Sequence, residues 1–164
     1  MVKDLNGLTE EEFLAQVARH FDVRPLAEGE SPSPTKKGEV GMCLRGSWHR
    51  LKAHADKVPS AAADPVNALD VQYLYSTVLA PVLGIGCPRE DERIKYVGGI
   101  RGNAELERLV TGERAWGAVS FAMYPVSVDE VMAIADAEAL MPPKATWFEP
   151  KLRSGLIVRL YDDS

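Results

Sequence analysis

The densest chemistry in this chain lies in two short segments. Gly98-Gly99-Ile100-Arg101-Gly102 falls between an expected strand and an expected helix. Glycines there let backbone N–H groups turn toward an anion, the helix start adds partial positive charge, and Arg101 could clamp a phosphate or carboxylate. The run is neither a Walker loop nor a full GxGxxG fingerprint. A tight strand-to-helix turn with a solvated arginine would use the same residues. The second segment, Met141 to Gly155, reads MPPKATWFEPKLRSG. Trp147 and Phe148 could wall a pocket, with Glu149 beside them and Lys144, Lys151 and Arg153 facing an anionic ligand. An ordered loop this rich in aromatic and charged residues usually binds something, yet a loop that plugs the core and leaves its charges in water fits as well.

Other chemistries lack their pattern. His20, His49 and His54 do not cluster in the sequence and show no metal-ligand spacing, so no metal site is expected. Ser120 and Ser154 have no partnered base and no GxSxG occurs, which argues against a serine hydrolase. Asp129, Asp136 and Glu138 read as solubility charges on an exposed helix face. Without a self-contained catalytic set, the isolated chain is expected to be inactive.

The elements that would position these residues are well marked. Thr9 and Glu12 form a capping box, flanked by Leu8 and Phe13 as a hydrophobic staple, and open a helix ending near His20. A short extended piece, Phe21 to Leu26, follows. Residues 27–38 form a Pro/Ser/Gly loop, expected to be mobile, whose two Ser-Pro steps are read as solvated chain rather than phosphosites. Val40 to Ala53 reads as a hairpin turning at Gly46-Ser47. That pairing puts Val40, Met42, Leu44, His49, Leu51 and Ala53 on a core face. Cys43, Arg45, Trp48, Arg50 and Lys52 then form a basic stripe on the other.

Asp64-Pro65 carries the signature of a helix start, with Val71, Leu74, Tyr75, Val78 and Val82 as the buried stripe and Pro81 and Gly84 ending it. Ile94 to Gly98 is predicted as a strand, Asn103 to Val110 as a helix, and Ala118 to Tyr124 as a strand covered on both faces. Ser127 and Glu130 make a second capping box, and Gly155 to Tyr161 a last strand. The fold class is α/β or α+β: an N-terminal helix and β-hairpin, then a β-α-β-α-β run whose right-handed crossovers would make the mixed sheet partly parallel.

The 164 residues fit a single domain, residues 1–164, able to bury its own core without a metal or disulfide staple. A net charge of −5 argues against a nucleic-acid partner. No apolar run reaches the roughly 18 residues needed to span a bilayer, and no signal peptide is visible, so no membrane partner is expected. Two cysteines without CxxC spacing suit a reducing, cytoplasmic compartment. Oligomeric state is left open, a homo-oligomer included.

The blocks VKDLNGLTEEEFL, DPVNALDV, YVGGIRG, FAMYPVSVDEVMAIADA and MPPKATWFEPKLRSGL resemble the C-terminal half of an uncharacterised prokaryotic family, domain of unknown function 1015. The resemblance runs from Val2 to about Leu160. Members carry an upstream half with an Asp-Gly-His-His-Arg motif resembling the ParB-like serine kinases, and no adjacent histidines occur here. The resemblance therefore implies the C-terminal part of a longer protein, either excised or standing alone. Its first partner would be that N-terminal half, with which it would share a nucleotide, and the full-length protein would be a kinase-like transferase. In that picture Gly98, Gly99, Arg101, Gly102, Lys144, Trp147, Glu149, Lys151 and Arg153 contact a small anionic ligand. The alternative is a non-catalytic structural or assembly domain packed against the missing half.

Overall fold

The computed structural model describes residues 1–113 and 115–146. A first helix, α1 (Glu10–Val17), is set by its ends: Thr9 Oγ1 accepts from the Glu12 amide at 3.2 Å, while the Glu12 carboxylate accepts from the Thr9 amide at 2.8 Å. Such a cap contributes about 1 kcal/mol. The helix stops at Val17, short of His20, and Phe13 and Val17 turn inward. Strand β1 (Phe21–Pro25) follows, then β2 (Glu39–Leu44) and β3 (Ser47–Ala53).

The hairpin turns at Arg45-Gly46, one residue earlier than expected, because Leu44 pairs with Ser47. Both turn residues have positive φ, 46° and 98°, the geometry of a two-residue type I′ turn. The shift leaves each side chain on its expected face. Moving a two-residue turn by one position moves each cross-strand partner by two, and strands alternate with period two.

Beside β2 runs β4 (Val119–Met123), giving the order β1-β3-β2-β4 with every pair antiparallel. The architecture is α+β, and among the described residues the sheet has no parallel pair, contrary to the crossover expectation. Ile94 to Gly98 supplies the reason. Only Ile94 pairs, in an isolated bridge to Val2. Residues 1–3 fill the space instead: the Val2 amide donates to Val119 O and the Lys3 amide to Arg93 O. With no strand at 94–98, β4 has no parallel neighbour among the described residues.

One sheet face carries Phe21, Val40, Met42, Leu44 and Leu51 against Phe13, Tyr73, Leu74, Val78 and Leu83. Each such buried large side chain stabilises by roughly 1.5–3 kcal/mol. The opposite face is covered rather than open. The helix α3 (Gly102–Thr111) lays Leu109 and Val110 on Cys43, and the Trp48 indole donates to Glu107 at 3.1 Å. The expected basic stripe thus lies partly beneath a helix.

Asp64 does not start a helix. Its carboxylate accepts from the Asn67 amide and side chain in a turn, and α2 (Asp70–Leu74) begins six residues later. A π-turn, Tyr75–Leu79, continues it, with Ala80 N–H donating to Tyr75 O. Pro81 has no N–H to donate and its ring would press on the carbonyl four residues back, so the widened turn relieves the crowding. The extra residue rotates the buried side to Tyr73, Leu74, Val78, Leu79 and Leu83, leaving Val71, Tyr75 and Val82 half-buried. A final helix, α4 (Val128–Asp136), opens with the expected Ser127–Glu130 box. No described helix is long and apolar enough to cross a membrane.

Candidate functional site

Gly98 to Asn103 forms the head of α3. Gly99–Arg101 make one 3-10 turn, Arg101 stands at the N-cap position, and Gly102 sits at φ 69°. The helices α1 and α4 close their first turns with their own hydroxyl and glutamate, but no side chain caps α3. The first amides of an uncapped helix point outward carrying partial positive charge. Arg101 stands beside them with 68% of its side chain exposed. Its contact with Glu105 is long, 3.9 Å, because that carboxylate is held by Arg108 at 2.7 and 2.9 Å. The Arg108 guanidinium also holds the Glu105 carboxyl below the ordinary range.

The Ser-Pro loop completes this corner. Asn103 Nδ2 donates to Ser33 Oγ at 2.7 Å. Arg50, on β3, donates to the carbonyls of Ser31 and Ser33 at 2.6 and 2.7 Å. Arg50, Ser33 and Asn103 are therefore linked at one corner, with Arg101 two residues before Asn103 in the chain. Sequence reasoning placed Arg50 on an open stripe and treated Ser33 as plain loop; no local pattern announced their meeting, which needs the hairpin and α3 docked on each other.

Lys144 stands elsewhere. With φ 57°, it lines a cavity of about 80 Å3 shared by Asp70 of α2, Tyr124 after β4 and Glu130 of α4. Met123, also in its wall, pairs with Val40 and so belongs to the face that α2 covers, whereas α3 lies on the Cys43 face. Arg101 and Lys144 are thus separated by the sheet. In the cavity wall, the Asp70 carboxylate accepts from the Gly38 amide at 2.9 and 3.0 Å, and Lys37 pairs with Glu130 at 2.6 Å. Burial raises the Asp70 carboxyl, outweighing the Gly38 amide and Lys37. Burial also works to raise Glu130, but hydrogen bonds from Lys37 and Ser127 outweigh it and leave that carboxyl below its usual value. Trp147, Glu149, Lys151, Arg153 and the strand expected at 155–161 lie outside the described residues.

The histidines are closer than their spacing suggests. Pairing of β1 with β3 sets His54 beside His20, whose carbonyl accepts the His54 amide at 3.0 Å, while His54 Nε2 lies 3.2 Å from Asp22. Partial burial, then Lys57, His54 and Arg19, lower the His20 pKa. Asp22 is 74% exposed, so the pair adds little. Among the described residues no group of three or more His, Cys, Asp or Glu could hold a metal ion.

No curated protein and no solved structure matches this chain. Residues 1–72 match the model of a family described as "Protein of unknown function (DUF1015)". That stretch spans α1, β1, the β2–β3 hairpin and the start of α2, and ends before Gly98. Over these residues the chain is similar to the family its motifs resemble.

Proposed function

We propose that this domain contacts a small anionic ligand at the head of α3, as the accessory, substrate-contacting part of a cytoplasmic phosphoryl-transfer protein. The observation that carries the reading is the pairing of an uncapped helix start with the exposed Arg101 guanidinium, while α1 and α4 are both closed by capping boxes. Phosphoryl transfer asks a protein mainly for positioning and charge stabilisation, so a cationic corner with no base suits an accessory role. Gly98, Gly99 and Gly102 shape the turn, and the Asn103 amide and Ser33 hydroxyl add neutral donors. The reacting groups, and a shared nucleotide, would belong to a ParB-like upstream half.

The test is calorimetric titration of the chain with inorganic phosphate, ATP and ADP, in the wild type and in Arg101→Ala. Saturable binding that falls about tenfold in the variant, with an unchanged melting temperature, is the expected result. Equal binding by both proteins, or none by the wild type alone and with the upstream half added, overturns the reading.

A second reading, a structural domain packed against another part of the same protein, is favoured by α4 and its following turn. Val128, Met132 and Leu140 are 72%, 57% and 87% exposed. Protection of the α4 amides from exchange on adding the upstream half, without ligand binding, would favour it.

A further inference from the structure

Three regions far apart in sequence line an open cleft of about 490 Å3: residues 3–8, Arg45, and Val110 with residues 115–118. It lies at the opposite end of α3 from Arg101, since Val110 forms part of its wall, roughly 14 Å along the helix axis. Leu5, Leu8, Val110 and Ala118 supply apolar surface, and Trp116 an aromatic one. The Lys95 ammonium stands 5.7 Å from the Trp116 ring centre. Of the charged residues in the wall, Asp4 is already paired with Arg93 at 3.2 Å. That leaves Lys3 and Arg45 as the cations of the cleft. The volume falls within the roughly 300–1,000 Å3 of small-molecule sites.

Arg45 is the telling residue. It occupies the first position of the type I′ turn at φ 46°, where asparagine, aspartate or glycine fits far better. Its amide is pinned by the Ala118 carbonyl at 3.0 Å, within the cleft's own wall. Its side chain is 61% exposed and touches Glu10 at 3.2 Å, an exposed pair weak enough to yield to a ligand. The turn gains nothing from an arginine, whereas the cleft gains a cation held on a fixed backbone.

We propose that this cleft binds a small anion bearing a planar ring, an aromatic carboxylate or phosphate. The ring lies along the apolar wall beside Trp116 and the anionic group meets Arg45 and Lys3. The site is separate from the head of α3 and does not depend on the function proposed there.

The test titrates isotope-labelled chain with phenyl phosphate, and in parallel with inorganic phosphate and with phenol. Phenyl phosphate is expected to shift the Trp116 indole resonance saturably, with each fragment binding at least about tenfold more weakly. Arg45→Asn keeps a residue suited to the turn, so it should fold at least as stably while weakening phenyl phosphate about tenfold. Lys3→Gln should weaken it in the same direction, and Arg101→Ala should leave it unchanged. An absence of saturable shift up to about 10 mM, unchanged affinity in both Arg45→Asn and Lys3→Gln, or phenol binding as tightly as phenyl phosphate would overturn the proposal.

Discussion

Gly41 and Arg50 face each other across the hairpin, and the Ser31–Pro34 segment lies over both. A Cβ on Gly41 would overlap the Pro32 carbonyl oxygen and stand 3.3 Å from Ala122 Cβ. The backbone carbonyl cannot swing aside as a flexible side chain would, so Gly41→Ala must lift the loop. We expect a cost of about 2 kcal/mol, within the range for overpacking. Arg50→Met keeps the aliphatic stem but removes both guanidinium hydrogen bonds, at 2.6 and 2.7 Å, to the carbonyls flanking Pro32. Charge-assisted bonds of this kind contribute about 1.5–3 kcal/mol each. These carbonyls belong to exposed loop residues that regain water once released, so about 2 kcal/mol is expected for the pair. Independent effects would sum to about 4 kcal/mol. Because both substitutions release the same segment, the second should cost little once the first is made, leaving a coupling of about 1–2 kcal/mol. Urea denaturation of the four proteins measures the cycle, and amide exchange at residues 27–38 reports whether the loop has lifted. Additivity within about 0.5 kcal/mol, or no change in exchange in either single variant, would refute the shared-loop reasoning.

Two further outcomes follow from the titratable groups. Burial raises the Asp70 carboxyl, so the folded state binds its proton more tightly than the unfolded state, and stability falls as pH rises through the interval above the ordinary value of 3.8. Asp70→Asn should therefore match or exceed the wild type near neutral pH and lose that slope, whereas Glu130, held below its ordinary value, contributes stability that disappears as pH falls, so Glu130→Gln should lose most near neutrality. Urea midpoints between about pH 2.5 and 7 check both signs, and a Glu130→Gln deficit that grows toward acid would contradict them. Burial pushes the Cys43 thiol up to about 11, while Cys87 is exposed. A thiol reagent should thus label the native protein rapidly at a single cysteine, and Cys87→Ser should abolish that phase; two fast equivalents in the native state would show that Cys43 is accessible.

Several features were legible in the sequence because their causes span only a few residues. Thr9–Glu12 and Ser127–Glu130 each join a hydroxyl to an amide three positions on, so both caps stand where the pattern puts them. The faces of β2 and β3 follow from alternation, which survived even a misplaced turn. The bounds expected for α3 and β4 agree with the structure to within a residue.

The rest required the chain to meet itself. Whether 94–98 becomes a strand depends on residues 1–3 reaching it first. Whether Arg50 faces solvent depends on a loop of Ser-Pro steps folding over it. The union of His20 with His54 comes from β1 pairing with β3, and the separation of Arg101 from Lys144 from the sheet between them. Sequence alone determined the caps and the alternation, since neighbouring residues supply those forces. Only the tertiary structure decided strand partners, where the first helical turn after Asp64 forms and which cations share a surface, because these depend on contacts between segments dozens of residues apart, whose closure no local pattern encodes.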